Sequence, residues 1–323
     1  MRLFKGAALA LALSVGLAAC GSSSSSSKKA TTSTPASSGG TSAPASAATG
    51  PGKGKPAVTI GDKNFTEENV LGELYSQALR AKGFTVNLKP NIGSSEVTDK
   101  ALTSGQLDMY PEYTGTILSA LAHQTTRPAS AAAAYAAAKK FEIARGYELL
   151  NKTPFFNSDA LATTPSYATK NHLSGIADLK KLGSKVTLGG APEFNTRFEG
   201  SVGLKQLYGL SLTFKPLAIG LQYKALDSGQ VNVADVFTTD GQLQGGKYTV
   251  LKDPKYVFGF QNVAPVVSKK TLTAQGPAFA HTLNAVSAKL TTQAMQKMNA
   301  AVDLDKQKAG DVAKQFLAAN GLG

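Results

Sequence analysis

The sequence has very few of the residues that form disulfide frameworks or zinc centres. Its 323 residues include one cysteine, three histidines and no tryptophan. A single cysteine cannot form an internal disulfide, and His123, His172 and His281 are too dispersed for zinc-ligand spacing. We therefore expect no disulfide framework, no metal site and no cofactor.

Acidic residues are absent from the first 56 positions, and the rest of the chain is only mildly basic. Downstream of residue 56 there are 28 basic and 21 acidic residues, an excess of seven positive charges. A nucleic-acid-binding protein usually clusters its basic residues with aromatic or arginine readers, whereas the lysines here are scattered. We therefore predict no nucleic-acid partner.

The N-terminal segment lacks the length of a bilayer span. Residues 1–20 contain Arg2, Lys5, an apolar run from 7 to 19, and Cys20, an arrangement typical of a signal peptide. A comfortable span needs about 20 apolar residues. The end of the segment, Leu-Ala-Ala-Cys, resembles the bacterial lipobox, in which the cysteine becomes the lipidated first residue of the mature protein. We expect Cys20 to be lipidated; the alternative is an ordinary secretory peptide with an incidental cysteine.

Residues 21–56 consist almost entirely of Ser, Thr, Ala, Gly and Pro with a few lysines. Without large apolar side chains to bury, such a stretch cannot offset its conformational entropy. It is predicted to be a tether that holds an extracytoplasmic body near the membrane to which the lipid is anchored.

From residue 57 onward, short apolar runs alternate with helical patterns, which is typical of an α/β fold. The segment 101–108, ALTSGQLD, recurs as ALDSGQVN at 225–232, and Thr59-Ile60-Gly61 is matched by Thr187-Leu188-Gly189. The common helix stop Ser-Gly-Gln could produce part of this match by chance. The conserved order of several elements nevertheless predicts two α/β lobes.

Each repeat places an aromatic residue eight positions after its glycine, namely Tyr113 and Phe237. Ligands of open α/β sheets bind beyond the carboxyl ends of the strands. We therefore expect these two rings to face each other across a cleft. Lobe I is predicted to comprise residues 57–160 and 263–323, and lobe II residues 161–262, with hinge strands at 159–164 and 262–268.

Several motifs resemble one known family. They include GDKNFTE at 61–67, YPEYTGT at 110–116, PEF at 192–194 and TDG at 239–241. Together they are similar to the substrate-binding proteins of osmoprotectant ABC transporters that bind glycine betaine, carnitine or choline. The resemblance implies a two-lobed periplasmic-binding-protein fold of type II, in which tyrosines surround a quaternary ammonium group through cation–π contacts.

The resemblance also implies the ligand-binding residues. Tyr113 and Thr116 match the first cage tyrosine and its polar neighbour, Lys63 matches a polar or basic residue of the first loop, and Arg197 matches a carboxylate-binding arginine. The remaining cage tyrosines are replaced in this sequence, by Asp159, Phe237 and Gln261. Asp159 could pair with a ligand cation, or it could be neutralised by Arg197 or Lys63, in which case a neutral polar or aromatic solute would fit better.

The expected function is therefore that of an extracytoplasmic, monomeric solute receptor that delivers its ligand to an ABC permease with an ATPase on the other side of the membrane. Hydrolase motifs such as Gly-x-Ser-x-Gly and His-Glu-x-x-His are absent, so no enzyme is predicted. A sensory lipoprotein that has kept the fold and lost transport is the alternative.

Overall fold

In a computed structural model, residues 50–323 are described. The predicted signal peptide, Cys20 and most of the predicted tether lie outside this range. None of the helices within it combines the length and apolar content that a bilayer crossing requires, and no cluster of three metal-ligating side chains is found between residues 50 and 323.

The chain forms two five-stranded mixed sheets with helices packed around them. The strands are β1 Val58–Gly61, β2 Val86–Lys89, β3 Met109–Tyr113, β4 Tyr147–Leu149, β5 Asp159–Thr163, β6 Thr187–Gly190, β7 Thr213–Pro216, β8 Val233–Phe237, β9 Thr249–Val250 and β10 Val263–Ser268. The helices are α1 Thr66–Ala81, α2 Ser95–Thr103, α3 Thr114–Thr116, α4 Ala131–Ala144, α5 Pro165–Asn171, α6 Gly203–Tyr208, α7 Gln222–Asp227, α8 Lys269–Gln275, α9 Pro277–Lys289, α10 Thr292–Asp303 and α11 Ala309–Ala319. Short 3₁₀ or π-helical segments occupy 117–121, 176–181, 183–185, 192–195, 198–202 and 241–246.

The strand order is β2-β1-β3-β10-β4 in the first sheet and β7-β6-β8-β5-β9 in the second. In each sheet the first three strands of this order run parallel to one another. The fourth strand of the order pairs antiparallel with the third, β10 with β3 in the first sheet and β5 with β8 in the second. We call the first sheet with its helices lobe I and the second sheet with its helices lobe II. The predicted two-lobed fold is confirmed.

The sequence repeat corresponds to a structural repeat. Gly105 and Gly229 follow α2 and α7 in the left-handed region, with φ of 78° and 70°, which glycine adopts at little cost. The side chain of Asp108 accepts a hydrogen bond from the N–H of Thr59 at 2.7 Å. In lobe II the side chain of Asn232 accepts one from the N–H of Thr187 at 2.8 Å. The match therefore extends to individual hydrogen bonds.

Lobe I is held together by helix α1, whose buried face consists of Val70, Leu71, Leu74, Tyr75 and Ala78. These residues recur at helical spacing and pack into one core with the C-terminal helices. The predicted apolar residues of the C-terminal region are buried in the same core, as expected; they are Leu283, Val286, Leu290, Met295 and Met298.

Two details differ from the sequence-based boundaries. The N–H of Gly52 donates to the carbonyl of Lys82 at 3.0 Å, and Gln275 donates to the carbonyl of Pro56 at 3.0 Å, so residues 50–56 pack against the fold. Strands β5 and β10 each pair entirely within one sheet. The chain therefore crosses between the sheets just before the predicted hinge strands, in 150–158 and 251–262.

Candidate ligand-binding site

A cavity lies between the lobes and is lined by residues from both. It receives side chains from the carboxyl ends of β3 and β8, as the position of ligands in open α/β sheets predicts. All seven residues expected at the site line this one cavity: Lys63, Tyr113, Thr116, Asp159, Arg197, Phe237 and Gln261. Their contact with a ligand remains a prediction.

The aromatic wall of the cavity contains three rings. Phe65 stacks on Tyr113 with ring centroids 6.2 Å apart and on Phe237 with centroids 5.6 Å apart. Offset stacking of this kind is favourable for aromatic pairs. The ring faces of Tyr113 and Phe237 that point toward each other are therefore partly covered by Phe65, which the sequence analysis did not select.

Lys63 is 3% exposed, and its charge is neutralised inside lobe I. Its ammonium forms an ion pair with Glu112, lies 3.8 Å from a carboxylate oxygen of Glu68, and donates to the hydroxyl of Ser95 at 3.3 Å. The same nitrogen lies 4.3 Å from the centroid of Tyr113. An internal ammonium thus occupies a cation–π position on the ring that the resemblance assigns to a ligand cation.

Arg197 is also paired. Its guanidinium donates from Nε at 3.0 Å and from Nη2 at 2.7 Å to the two carboxylate oxygens of Glu96, a bidentate geometry that joins lobe II to lobe I. Burial would raise the pKa of Glu96, but Arg197 outweighs this effect and lowers that pKa to about 2. The arginine expected to bind a ligand carboxylate is therefore already engaged.

Asp159 forms no ion pair with Arg197 or Lys63 in the described chain. Instead it is a diagonal neighbour of Asp235 on one face of the sheet, since Asp159 pairs with Phe237 and Leu161 with Asp235 across β5 and β8, and each carboxyl shifts the pKa of the other. Burial raises the pKa of Asp159 to about 6 although Asp235 and Arg197 lower it. Burial, reinforced by the neighbouring Asp159, raises the pKa of Asp235 further. Two adjacent carboxyls, of which Asp235 is buried and Asp159 half-buried, cannot both ionise readily, so the pair favours retention of a proton.

Gln261 connects the lobes at another side of the cavity. Its side-chain oxygen accepts from the N–H of Thr116 at 3.0 Å, and its amide nitrogen donates to Glu199 at 2.8 Å. Glu199 also accepts from the hydroxyl of Ser119 at 2.7 Å, and burial raises its pKa to about 7. A methyl group at Gly115 would lie 2.7 Å from a carboxylate oxygen of Glu199, so a larger residue there would force the Glu199 side chain to shift.

Glu67 is a buried carboxylate behind the cavity wall that accepts four hydrogen bonds. Tyr113 and Asn157 donate to one oxygen at 2.7 and 3.0 Å. Thr239 and Asn299 donate to the other at 2.5 and 3.0 Å. Burial raises the pKa of Glu67 despite these donors. Because Thr239 belongs to lobe II, this carboxylate also joins the lobes.

The sequence analysis missed several lining residues, and two of them had a usable signal. Asp235 and Phe237 are two positions apart on β8, and side chains so spaced in a strand share a face. Phe65 follows Lys63 within the same family motif. Glu193 and Glu199 also line the cavity. Glu193 belongs to the PEF motif at 192–194 but was not selected as a ligand-binding residue, and no local pattern distinguished Glu199 from an ordinary surface acid.

Comparison with known proteins gives consistent matches. Residues 56–319 match the family model described as the substrate binding domain of ABC-type glycine betaine transport systems. The chain is 35% identical over 270 residues to a glycine-betaine-binding protein of Pseudomonas aeruginosa, covering 80% of this chain and 86% of the relative. It is 30% identical to the glycine betaine-binding protein YehZ of Escherichia coli, covering 82% and 90%.

A solved structure of a glycine betaine/carnitine/choline ABC transporter protein superposes with a TM-score of 0.66 at 27% identity. The alignment covers 82% of this chain and 99% of the solved one. The similarity therefore extends over both sheets and the cavity between them.

Proposed function

Since the chain belongs to the family of substrate-binding domains of ABC-type glycine betaine transport systems, we propose that it captures a small organic cation in the interlobe cavity and presents it to a permease. Members of this family are extracytoplasmic solute-binding components that work with permeases. The observation that supports a cationic ligand is the carboxyl pair Asp159–Asp235 in the cavity wall, with which no basic side chain of the described residues forms an ion pair. The compounds named for the relatives, glycine betaine, carnitine and choline, are the first candidates.

The proposed binding cycle uses the contacts that join the lobes. Arg197–Glu96, Glu199–Ser119 and Thr239–Glu67 all connect lobe I with lobe II. We propose lobe boundaries close to 57–160 with 263–323 and 161–262, with rotation in the crossing segments. A ligand that touches both lobes favours the closed form, because it gains contacts there that the open form lacks.

The redirected pocket for a neutral solute has less support. It would require Asp159 to be neutralised by Arg197 or Lys63, and both of these bases are paired with other carboxylates. We also propose that the chain is not an enzyme and acts as a monomer. Growth on a bound solute separates a sensory role from transport. If the protein serves transport, deleting the permease to which it delivers the solute should abolish that growth; if its role is sensory, growth should persist.

Lipidation at Cys20, which lies outside the described residues, completes the proposal. Labelling with a palmitate analogue is expected to mark the wild type, and Cys20→Ser is expected to be unlabelled and released. An unlabelled, freely secreted wild type would contradict the anchor and leave ligand binding untouched.

The ligand is tested by calorimetry of the purified protein against glycine betaine, carnitine, choline and a panel of neutral aromatic solutes. At least one amine is expected to bind, with compaction in small-angle scattering at saturation. Tight binding of a neutral compound and of no amine would contradict the proposed ligand class.

A further inference from the structure

The basic side chains that line the cavity do not offer a free positive charge. Lys63 is 3% exposed and paired with Glu112, and Arg197 is held by both oxygens of Glu96. A ligand carboxylate would have to displace one of these internal carboxylates. Breaking the buried Lys63–Glu112 pair would leave an uncompensated charge and is strongly unfavourable. At Arg197 a ligand carboxylate would have to compete with the bidentate contact of Glu96, which is 44% exposed.

The carboxyl groups of Asp159 and Asp235 in lobe II, in contrast, form no ion pair with a basic side chain among the described residues. Strands β5 and β8 pair with Leu161 opposite Asp235, so Asp159 and Asp235 are diagonal neighbours on one face of the sheet. Asp235 is 1% exposed, and its Oδ1 atom has no hydrogen-bond partner among the described residues. A buried unpaired carboxylate oxygen in a cavity wall is costly unless a donor or a cation reaches it.

The charges around this pair are mostly negative. Glu193 and Glu199 line the same cavity, and Asp240 lies close enough to Asp235 to act on it electrostatically. The positive neighbour of the pair is Arg197, which Glu96 neutralises. The lobe II wall therefore has a deficit of positive charge that a ligand can fill.

We propose, building on the proposed function, that Asp159 and Asp235 form the charge-recognition subsite for an organic cation that carries no carboxylate, and that the pair releases its shared proton when the cation binds. In this step the O–H bond of the protonated carboxyl breaks and the proton passes to solvent. The ligand charge takes the place of the proton, so the total charge of the subsite is conserved.

The pH dependence follows from this exchange. Burial raises the pKa of Asp159 to about 6, burial and the neighbouring Asp159 raise that of Asp235 well above its usual range, and a cation beside the pair lowers the pKa of both carboxyls. Because binding releases a proton, affinity rises with pH while the unliganded pair is protonated, by up to about tenfold per pH unit for one proton released. Arg197, Glu193, Glu199 and Asp240 face the pair and shift the midpoint of this rise.

Choline and glycine betaine form a matched pair of probes, because both carry trimethylammonium and only glycine betaine carries a carboxylate. Its carboxylate would meet the Asp159–Asp235 pair, Glu193 and Glu199. We expect choline to bind at least about tenfold more tightly, equivalent to about 1.4 kcal/mol.

The test is isothermal titration calorimetry of both probes at pH 5.5, 6.5 and 7.5, each in two buffers of different ionisation enthalpy. Choline binding is expected to release between about half a proton and one proton near pH 6.5. Asp235→Asn should abolish the proton release and flatten the pH dependence of choline affinity. Asp159→Asn, the second variant, should have the same two effects. The control is Asp227→Asn, which changes an exposed lobe II carboxylate paired with Lys247. This variant should retain both the proton release and the pH dependence of binding.

Thermal melting of each variant establishes that it is folded before titration. Choline binding with equal heats in the two buffers, or glycine betaine binding more tightly than choline, would overturn this inference while leaving the receptor function in place. If neither choline, glycine betaine nor carnitine shows measurable binding, both this inference and the proposed ligand class are overturned.

Discussion

The strand order of lobe I, β2-β1-β3-β10-β4, is reproduced in lobe II as β7-β6-β8-β5-β9, yet the two lobes hold their buried carboxylates differently. In lobe I, Glu112 has Lys63 as a partner and Glu67 accepts four hydrogen bonds. In lobe II, Asp159 and Asp235 face each other. The same framework therefore supports one wall whose buried carboxylates share the ammonium of Lys63 and a network of hydrogen bonds, and another wall whose carboxyl pair has no ion-paired base among the described residues.

The largest expected effect is the loss of hydrogen bonds to Glu67. In Glu67→Gln one carboxylate oxygen becomes an NH₂ group that faces two donors, so two buried hydrogen bonds are lost. Hydrogen bonds to charged groups contribute about 1.5–3 kcal/mol each, and we expect the free energy of unfolding to fall by about 2–4 kcal/mol. Urea unfolding measures this change.

Glu73→Gln provides the control, since it makes the same substitution on the same helix at a residue that accepts one side-chain hydrogen bond, from Gln77. An equal loss in both variants would show that the Glu67 contacts have no special importance.

The corresponding change in lobe II is expected to have the opposite sign. Asp159 and Asp235 have pKa values raised by folding, so the folded protein binds extra protons and its stability falls as pH rises from about 4 through about 6. Asp235→Asn removes this penalty and should raise the free energy of unfolding of the ligand-free protein at pH 7.

Unfolding midpoints at pH 4.5 and pH 7 check this prediction, and the gain should be larger at pH 7. Asp227→Asn is expected to leave the midpoint nearly unchanged at both values. Destabilisation by Asp235→Asn at pH 7 would contradict the prediction. It would mean that another group of the protein compensates the charge of the Asp159–Asp235 pair, as Lys63 compensates that of Glu112 in lobe I.

Closure of the cleft at Gly115 is the next prediction. In Gly115→Ala the new methyl group would lie 2.7 Å from Glu199 and 2.8 Å from Gln261, so the ends of these two side chains must shift and the contacts by which they join the lobes are disturbed. Ligand affinity is expected to fall by about tenfold, because the closed form loses contacts that the ligand relies on.

Gly310→Ala is a suitable control, since its nearest contact would be 3.4 Å from Glu73, in lobe I on α11. Unchanged affinity in Gly115→Ala would place the closure contacts elsewhere.

The smallest effect is expected at the ion pair that joins the lobes. Glu96 is 44% exposed, and exposed ion pairs contribute little to stability. Glu96→Gln should weaken ligand binding by about two- to fivefold through loss of a contact made only on closure, and added salt should reduce the difference between wild type and variant.

Asp227→Asn removes an exposed ion pair that lies within lobe II and should not change affinity. If both variants weaken binding equally, the effect reflects net charge and not the closure of the cleft.

Much of the fold could be predicted from the sequence, because the relevant signals are local. The turn glycines Gly105 and Gly229 and the strands that follow them define the repeat, and the strand ends then place Tyr113 and Phe237 near one cavity. The pairing of charges could not be predicted in this way. Arg197 and Glu96 are 101 residues apart, and nothing in the sequence around Arg197 indicates that the guanidinium is occupied.

Helix α4 illustrates the same limit. Its alanine-rich sequence shows no amphipathic pattern, yet Ala134 and Ala138 are buried against β-sheet residues of lobe I. Four positions apart, they lie on one face of the helix. Because nearly every residue from 131 to 138 is alanine, the sequence shows no periodic pattern that would identify the buried face. The small alanine side chain allows that face to pack closely.

The position of β10 affects the order in which the lobes can assemble during synthesis. This strand lies between β3 and β4 in the first sheet and pairs Pro265 with Pro111, whereas the five strands of the second sheet are complete by Val250. Joining segments about 150 residues apart costs about 4 kcal/mol in chain entropy. The inserted lobe can therefore form its sheet as soon as its own residues emerge, while the lobe that encloses it in sequence remains open until the last strand of the chain is made.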